Sequence, residues 1–299
     1  MDLTAAFPTF IVTLREGFEA ALVVGIIMAA LAKAQQQKLY AWVYAGIATG
    51  IGGSLLVGII LAKTVGNLTT INSVYAPLFK QVLATSFGLV AIAMLSWMLL
   101  WMNAQAKSLK GEIESSINSA LAGANAGRAV FLLVAIAVLR EGFETVLFIL
   151  AKFQQDWALP TVGAFIGLSL AAILGWLLFA VGVKLDLRLF FQVMTTLLLL
   201  IVGGLVLSCL FHLDRSIFLW SELSGRDWCL AAGGSCILGQ QVWDGSQILS
   251  DRTFPGIILK ALFGYRQTLY LLQVLTYGSF LTLLTIWLRK DSSSGKVRS

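Results

Sequence analysis

The chain is 299 residues long, 58% hydrophobic and only 12% charged, with a mean hydropathy of +0.86. A soluble domain carries about a quarter charged residues, so this composition excludes a water-soluble globular protein and points to a chain that crosses a membrane repeatedly. The net charge of +6 reports topology rather than nucleic-acid affinity, because basic residues of membrane proteins collect on the cytoplasmic side.

Apolar runs of about 20 residues span a bilayer, and a lone span satisfies its backbone only as a helix. Such runs lie at 4–32, 40–63, 78–102, 129–151, 160–183, 189–211 and 268–288. They predict an all-α polytopic membrane protein with seven transmembrane helices. The opening MDLTAAF has no basic n-region, and the run that follows holds charges, so the first span reads as a retained helix rather than a signal peptide.

The basic residues fall in alternate connections. Lys33 and Lys38 follow the first span, Lys107, Lys110 and Arg128 the third, and Lys184 and Arg188 the fifth. Arg289, Lys290, Lys296 and Arg298 follow the last. This asymmetry places the N-terminus outside and the C-terminus in the cytoplasm of a multi-pass cell-membrane protein, the long loop 212–267 counting for little. Segment 103–128 is then a cytoplasmic connection, 212–267 an extracytoplasmic loop, and 289–299 a cytoplasmic tail whose composition reads as disordered. Cys229 and Cys236 lie in the outer loop, where a disulfide is chemically accessible; the sequence leaves their pairing open.

The pattern of the first three spans recurs in the next three. LREGFEA (14–20) returns as LREGFET (139–145), Gly46-x-x-x-Gly50 as Gly163-x-x-x-Gly167, and LFKQVLAT (78–85) as LFFQVMTT (189–196). Residues 1–102 and 129–211 therefore read as two three-helix repeats. Three is odd, so the second copy enters the membrane from the opposite face, giving an inverted-topology repeat of the kind common in secondary transporters. The span at 268–288 is an extra C-terminal helix.

Each repeat places Arg-Glu-Gly-Phe-Glu about 12 residues into its first helix, roughly 18 Å deep and close to the bilayer midplane. Glu16 and Glu19 share a helical face, as do Glu141 and Glu144, while Arg15 and Arg140 each stand four residues before the second Glu. Gly17 and Gly142 admit a neighbouring backbone; Phe18 and Phe143 read as packing residues or gates. Six ionisable groups at that depth cost on the order of 15–20 kcal/mol if uncompensated. Two Arg–Glu bridges that merely lock helices would leave one Glu per motif unpaired. Four carboxylates against two guanidinium groups make a site that wants a cation, and hard oxygen donors suit magnesium, calcium, manganese or iron. The single His212 and the absence of CxxC argue against zinc or copper.

Other residues carry weaker readings. Met94, Met98 and Met102 share a face of the third span and are either soft ligands along a path or core filler. His212 is a candidate entry ligand or a polar cap. Asp244 and Asp251 in the outer loop are candidate collectors of metal or simply solvated acids. Gln81 and Gln192 recur at matching repeat positions, where interhelical hydrogen bonding is the simpler role.

The two REG-x-E motifs resemble those of the oxidase-dependent iron transporters, the fungal high-affinity iron permeases and their bacterial relatives. MLSWMLLWMNAQAKSLKGEIE (94–114) and VWDGSQILSDRTFPGIILKALFGY (242–265) are similar to the same regions of the bacterial members. Many fungal members have Leu where Phe18 and Phe143 stand. The resemblance implies an iron permease rather than an enzyme, with Fe²⁺ or Fe³⁺ as transported substrate and no permanently bound cofactor. It makes Glu16, Glu19, Glu141 and Glu144 the iron-binding carboxylates, with Arg15 and Arg140 as motif partners. It further implies an extracytoplasmic ferroxidase or iron-delivery protein as partner. Lead or manganese is the alternative cargo. A membrane-embedded metalloenzyme is disfavoured, because such sites recruit several histidines.

Overall fold

The computed structural model describes residues 3–70, 75–105, 125–152, 158–182, 186–230, 235–245, 249–250 and 255–294, with positions 111, 115 and 119. Helix α1 spans Leu3–Lys33, α2 Tyr40–Thr70 and α3 Ala76–Gln105; α4 spans Ala126–Lys152, α5 Ala158–Trp176 and α6 Leu187–Ser224. Beyond these come strand β1 (Gln241–Asp244), helix α7 (Gly256–Phe263), strand β2 (Thr268–Tyr270) and helix α8 (Leu271–Ser294). Among the described residues, four helical segments are long and apolar enough to cross a membrane: Gln37–Thr64, Ala76–Leu100, Leu159–Val181 and Leu189–Ser224. Helices α1 and α4 are comparably long but carry the REGFE charges.

Helix ends follow local chemistry. Asp186 caps α6 by accepting a hydrogen bond from the Leu189 N–H at 3.2 Å, satisfying one orphan donor of the first turn. The helix stops at Gly225, whose φ of +64° is the left-handed conformation of a glycine C-cap. It continues well past residue 211, where the hydropathy fades, so the segment 212–267 begins as helix rather than loop. That segment also holds α7 and β1; β1 pairs antiparallel with β2, Asp244 facing Thr268, so the predicted span at 268–288 opens with a short strand and turns helical only at Leu271. The last helix extends through Ser294, so the stretch from Arg289 to Ser294 is helical where the sequence suggested disorder. Cys229 and Cys236 form a disulfide, with an S–S distance of 2.06 Å.

The long helices pair across the two halves of the chain: α1 lies along α5, α2 along α4, and α3 against α6. Glycine makes the first two pairings possible. A methyl group on Gly46 would come within 2.9 Å of the Phe131 carbonyl oxygen, and one on Gly50 within 2.8 Å of Val138. In the other pair, Gly163 abuts the Ala6 carbonyl and Gly167 abuts Thr13. Two further contacts match in order: Gly58 with Val146 and Gly175 with Ala21. Without lipid-excluding hydrophobicity to drive them together, membrane helices associate through such close backbone approach.

Two large apolar clusters, and a small third one around Ala91 and Leu205, fill spaces between the helices. One gathers Ile11, Leu14, Phe18 and Leu22 of α1 with Met194, Leu198 and Ile201 of α6. The other joins Ile27 and Leu31 of α1 to Val43 of α2 and Val130, Val134 and Val138 of α4. The charged segment of α1 is thus enclosed, while Trp97 on α3 is exposed, as suits an interfacial anchor.

Candidate metal site at the paired REGFE motifs

Helices α1 and α4 also touch one another, and this brings the two motifs together. Gly17 packs on Ala171 of α5, where a methyl group would stand 2.8 Å from the alanine methyl. Gly142 packs on Ser54 of α2. Each motif glycine therefore seats its helix against a small residue and lets the flanking glutamates reach inward.

Carboxylate oxygens of Glu16, Glu141 and Glu144 all lie within 4.8 Å of one another. Among the described residues this is the one group of His, Cys, Asp or Glu side chains close enough to share a metal ion. Glu16 Oε2, Glu141 Oε2 and Glu144 Oε2 are buried and accept no hydrogen bond. Buried acceptors are normally satisfied, and leaving one unmet costs about 1–3 kcal/mol or more when it is charged. Three clustered carboxylates, each with an unmet buried oxygen, suit a cation that accepts hard oxygen ligands.

The two arginines behave differently. Arg15 is fully buried; its Nη1 lies 3.0 Å from Glu16 Oε1 and its Nη2 2.9 Å from Glu19 Oε1. Nη1 also lies 2.7 Å from Met98 Sδ on α3. Arg140 Nε lies 3.3 Å from Glu144 Oε1, and the Arg140 side chain is 53% exposed. It borders a cavity of about 250 Å³ lined by Ser54, Val57, Ile136, Leu139, Arg140 and Phe143. Both Arg-to-second-Glu contacts have the spacing expected of i,i+4 pairs; the grip of Arg15 on Glu16 as well is an addition. Glu19 lies outside the three-carboxylate cluster.

The remaining candidates are distributed more widely. Met98 is buried against Arg15, and Met94 is partly buried on the same helix. The side chain of Met102, and Asp251 altogether, fall outside the described residues. His212 on α6 bonds through Nδ1 to Gln81 Oε1 on α3 at 2.6 Å, so these two polar groups tie the crossing pair together. Asp244 is exposed in β1. Sequence reasoning missed the Met98–Arg15 contact; the only available signal was a thioether on an apolar face, which packing explains equally well.

The Iron permease FTR1 family model matches residues 6–289. The chain is 48% identical over 288 residues to an uncharacterized protein of Synechocystis sp., covering 95% of this chain and 93% of that one. It is 31% identical over 265 residues to the ferrous iron permease EfeU of Escherichia coli O6:H1, covering 87% of each. Against the ferrous iron permease EfeU of Yersinia pseudotuberculosis it is 30% identical over 297 residues, covering 97% of this chain and 95% of the relative. No solved structure matches it. A family match that runs nearly end to end and encloses both REGFE motifs settles the lineage: the chain belongs to the iron permease FTR1 family.

Proposed function

We propose that this iron permease carries ferrous iron inward through the carboxylate cluster of Glu16, Glu141 and Glu144, with Glu19 as the fourth member of the set. The observation that carries the reading is the convergence of carboxylate oxygens of Glu16, Glu141 and Glu144 within 4.8 Å of one another, in side chains that each also keep a buried oxygen without a hydrogen-bond partner. The ferrous state is supported by the EfeU relatives, which are named ferrous iron permeases. Arg15 neutralises the first motif and holds Glu19 aside while the cluster is empty; an arriving cation takes over that neutralising role. Desolvating a divalent ion is costly, and convergent carboxylates replace its water with fixed anionic ligands.

In this reading the protein has seven membrane spans, with two inverted three-helix repeats at 1–102 and 129–211 and an added helix near the C-terminus. The in-register glycine contacts of α1–α5 and α2–α4 support it. The N-terminus lies outside the cell membrane and the C-terminus in the cytoplasm. An external ferroxidase or iron-delivery protein remains a partner suggested by the family resemblance alone; purified protein that imports Fe²⁺ unaided would show it to be dispensable.

The test is uptake of radioactive iron into proteoliposomes, offered as Fe²⁺ under reductant and separately as chelated Fe³⁺, with Mn²⁺ and Pb²⁺ as competitors. Wild type should import Fe²⁺, and Glu16→Ala/Glu19→Ala and Glu141→Ala/Glu144→Ala should not, while eluting as folded protein. Normal transport by either double variant would remove the cluster from the pathway.

A further inference from the structure

The glycine contacts fix which residues of the two halves correspond. Gly17 meets Ala171 as Gly142 meets Ser54, and Gly163 meets Ala6 as Gly46 meets Phe131. Carried to α3 and α6 through LFKQVLAT (78–85) and LFFQVMTT (189–196), the same register pairs Phe79 with Phe190. The aromatic pair Phe18–Phe190 therefore has a counterpart in Phe143–Phe79.

These counterparts are in opposite conditions. Phe18 is wholly buried with its ring centroid 4.3 Å from that of Phe190. Phe143 and Phe79 are 41% and 46% exposed. The difference extends along both helices: Ile11, Leu14 and Arg15 are buried, whereas Ile136, Leu139 and Arg140 are exposed. The cavity beside Phe143 lies on this open side, at the positions that are filled on α1. Two stretches with the same sequence motif and matching small-residue contacts thus differ in whether the end of a crossing helix closes over them.

Building on the permease reading above, we propose that Phe18–Phe190 and Phe143–Phe79 are the two gates of the iron pathway, and that the structure has the first closed and the second open. In the other state Phe79 at the start of α3 closes over Phe143, as Phe190 at the start of α6 now closes over Phe18. Arg140 then becomes enclosed and Arg15 exposed. Each gate flanks the phenylalanine between the two glutamates of its motif, so a closed aromatic pair bars water and cation from one side of the carboxylates. Closing one while opening the other gives access from alternate faces without a continuous leak, the requirement of any carrier built from inverted repeats. The tight glycine pairs α1–α5 and α2–α4 move as units, and α3 and α6 supply the moving ends.

The experiment is cross-linking in the full chain reconstituted in proteoliposomes, with Cys209→Ala removing the free thiol. Two double variants are compared, Phe18→Cys/Phe190→Cys and Phe79→Cys/Phe143→Cys, with cross-links identified by mass spectrometry of linked peptides. Both pairs are expected to link, the second more readily when Fe²⁺ is supplied, and either link is expected to lower iron uptake at least tenfold. The proposal is overturned if Phe18→Cys/Phe190→Cys links while Phe79→Cys/Phe143→Cys never does in protein that transports. That result would make the asymmetry a fixed consequence of α7 packing on α1 and α6. A Phe79–Phe143 link that leaves uptake unchanged overturns it equally. Should the paired variants fail to fold, single Phe143→Cys and Phe18→Cys proteins are probed with a water-soluble thiol reagent. Reaction of both supports exchange, and reaction of Phe143→Cys alone refutes it. These outcomes are independent of the glutamate variants, whose normal transport would instead refute the permeation site.

Discussion

Arg15 on α1 and Met98 on α3 are in direct contact, Nη1 to Sδ at 2.7 Å, although 83 positions separate them in the chain. Methionine here serves as an acceptor that steadies a buried guanidinium, and the guanidinium in turn holds two glutamates. Met98→Leu keeps the volume and removes the acceptor. It should lower iron uptake severalfold, and Met98→Gln, which restores a hydrogen-bond acceptor, should recover most of it. If Gln fails while transport selectivity shifts from Fe²⁺ towards Mn²⁺, the sulfur is acting on the metal instead.

The contrast between the two arginines has a measurable consequence for stability. Removing Arg15 strands Glu16 and Glu19 in the core without their counter-charge, a change that costs about 3–5 kcal/mol in comparable buried pairs. Arg140 is half exposed, and its contact with Glu144 is longer, at 3.3 Å. Thermal unfolding in detergent should therefore show a much larger drop in midpoint for Arg15→Ala than for Arg140→Ala. Equal drops would mean that the burial difference carries no energetic weight.

Among the three clustered carboxylates, single neutralisations should act on transport more than on folding. Glu16→Gln, Glu141→Gln and Glu144→Gln each keep shape and remove one anionic ligand, and each should lower uptake at least tenfold at limiting Fe²⁺. The unfolding midpoint of Glu141→Gln should hold or rise, because it relieves repulsion among crowded carboxylates, whereas Glu16→Gln and Glu144→Gln also give up their contacts with Arg15 and Arg140 and should lie below it. A variant that transports normally would lie outside the binding set.

Glycine substitutions separate packing from propensity. Gly163→Ala would drive a methyl group into the Ala6 carbonyl, and should destabilise by about 1–3 kcal/mol. Gly52→Ala meets nothing within 4 Å and should be neutral or stabilise by up to about 1 kcal/mol through helix propensity. Chemical denaturation of the two variants side by side decides the matter.

The N-cap of α6 offers a smaller effect. Asp186→Ala removes the acceptor for the Leu189 N–H and should cost about 0.5–2 kcal/mol. Asp186→Asn, another good cap, should restore most of that loss in the same unfolding assay.

Much of this arrangement is legible in the sequence because the membrane makes charge conspicuous. Glutamates three apart in an apolar run must share a helical face, and small residues four apart must mark a seam. The identity of the partner across each seam was not legible, since spacing gives a face but no neighbour. Met98 was ambiguous for the same reason. The helical extension of α6 to Ser224 escaped notice because FHLDRSIFLWSELS mixes polar and apolar residues, which hydropathy reads as the end of a span while backbone hydrogen bonding continues. The different settings of Arg15 and Arg140 were also invisible: two identical pentapeptides give no hint that one is enclosed and the other half open.

The pairing of α1 with α5 and of α2 with α4 bears on how the chain is assembled. Each seam draws one helix from the first half and one from the second, so neither half can complete a glycine interface by itself. During synthesis α1 and α2 are made before α4 and α5, so both seams and the carboxylate cluster that joins Glu16 to Glu141 and Glu144 close only once the second half has been made. A chain severed between α3 and α4 should accumulate only when both fragments are produced together, each acting as the scaffold on which the other matures.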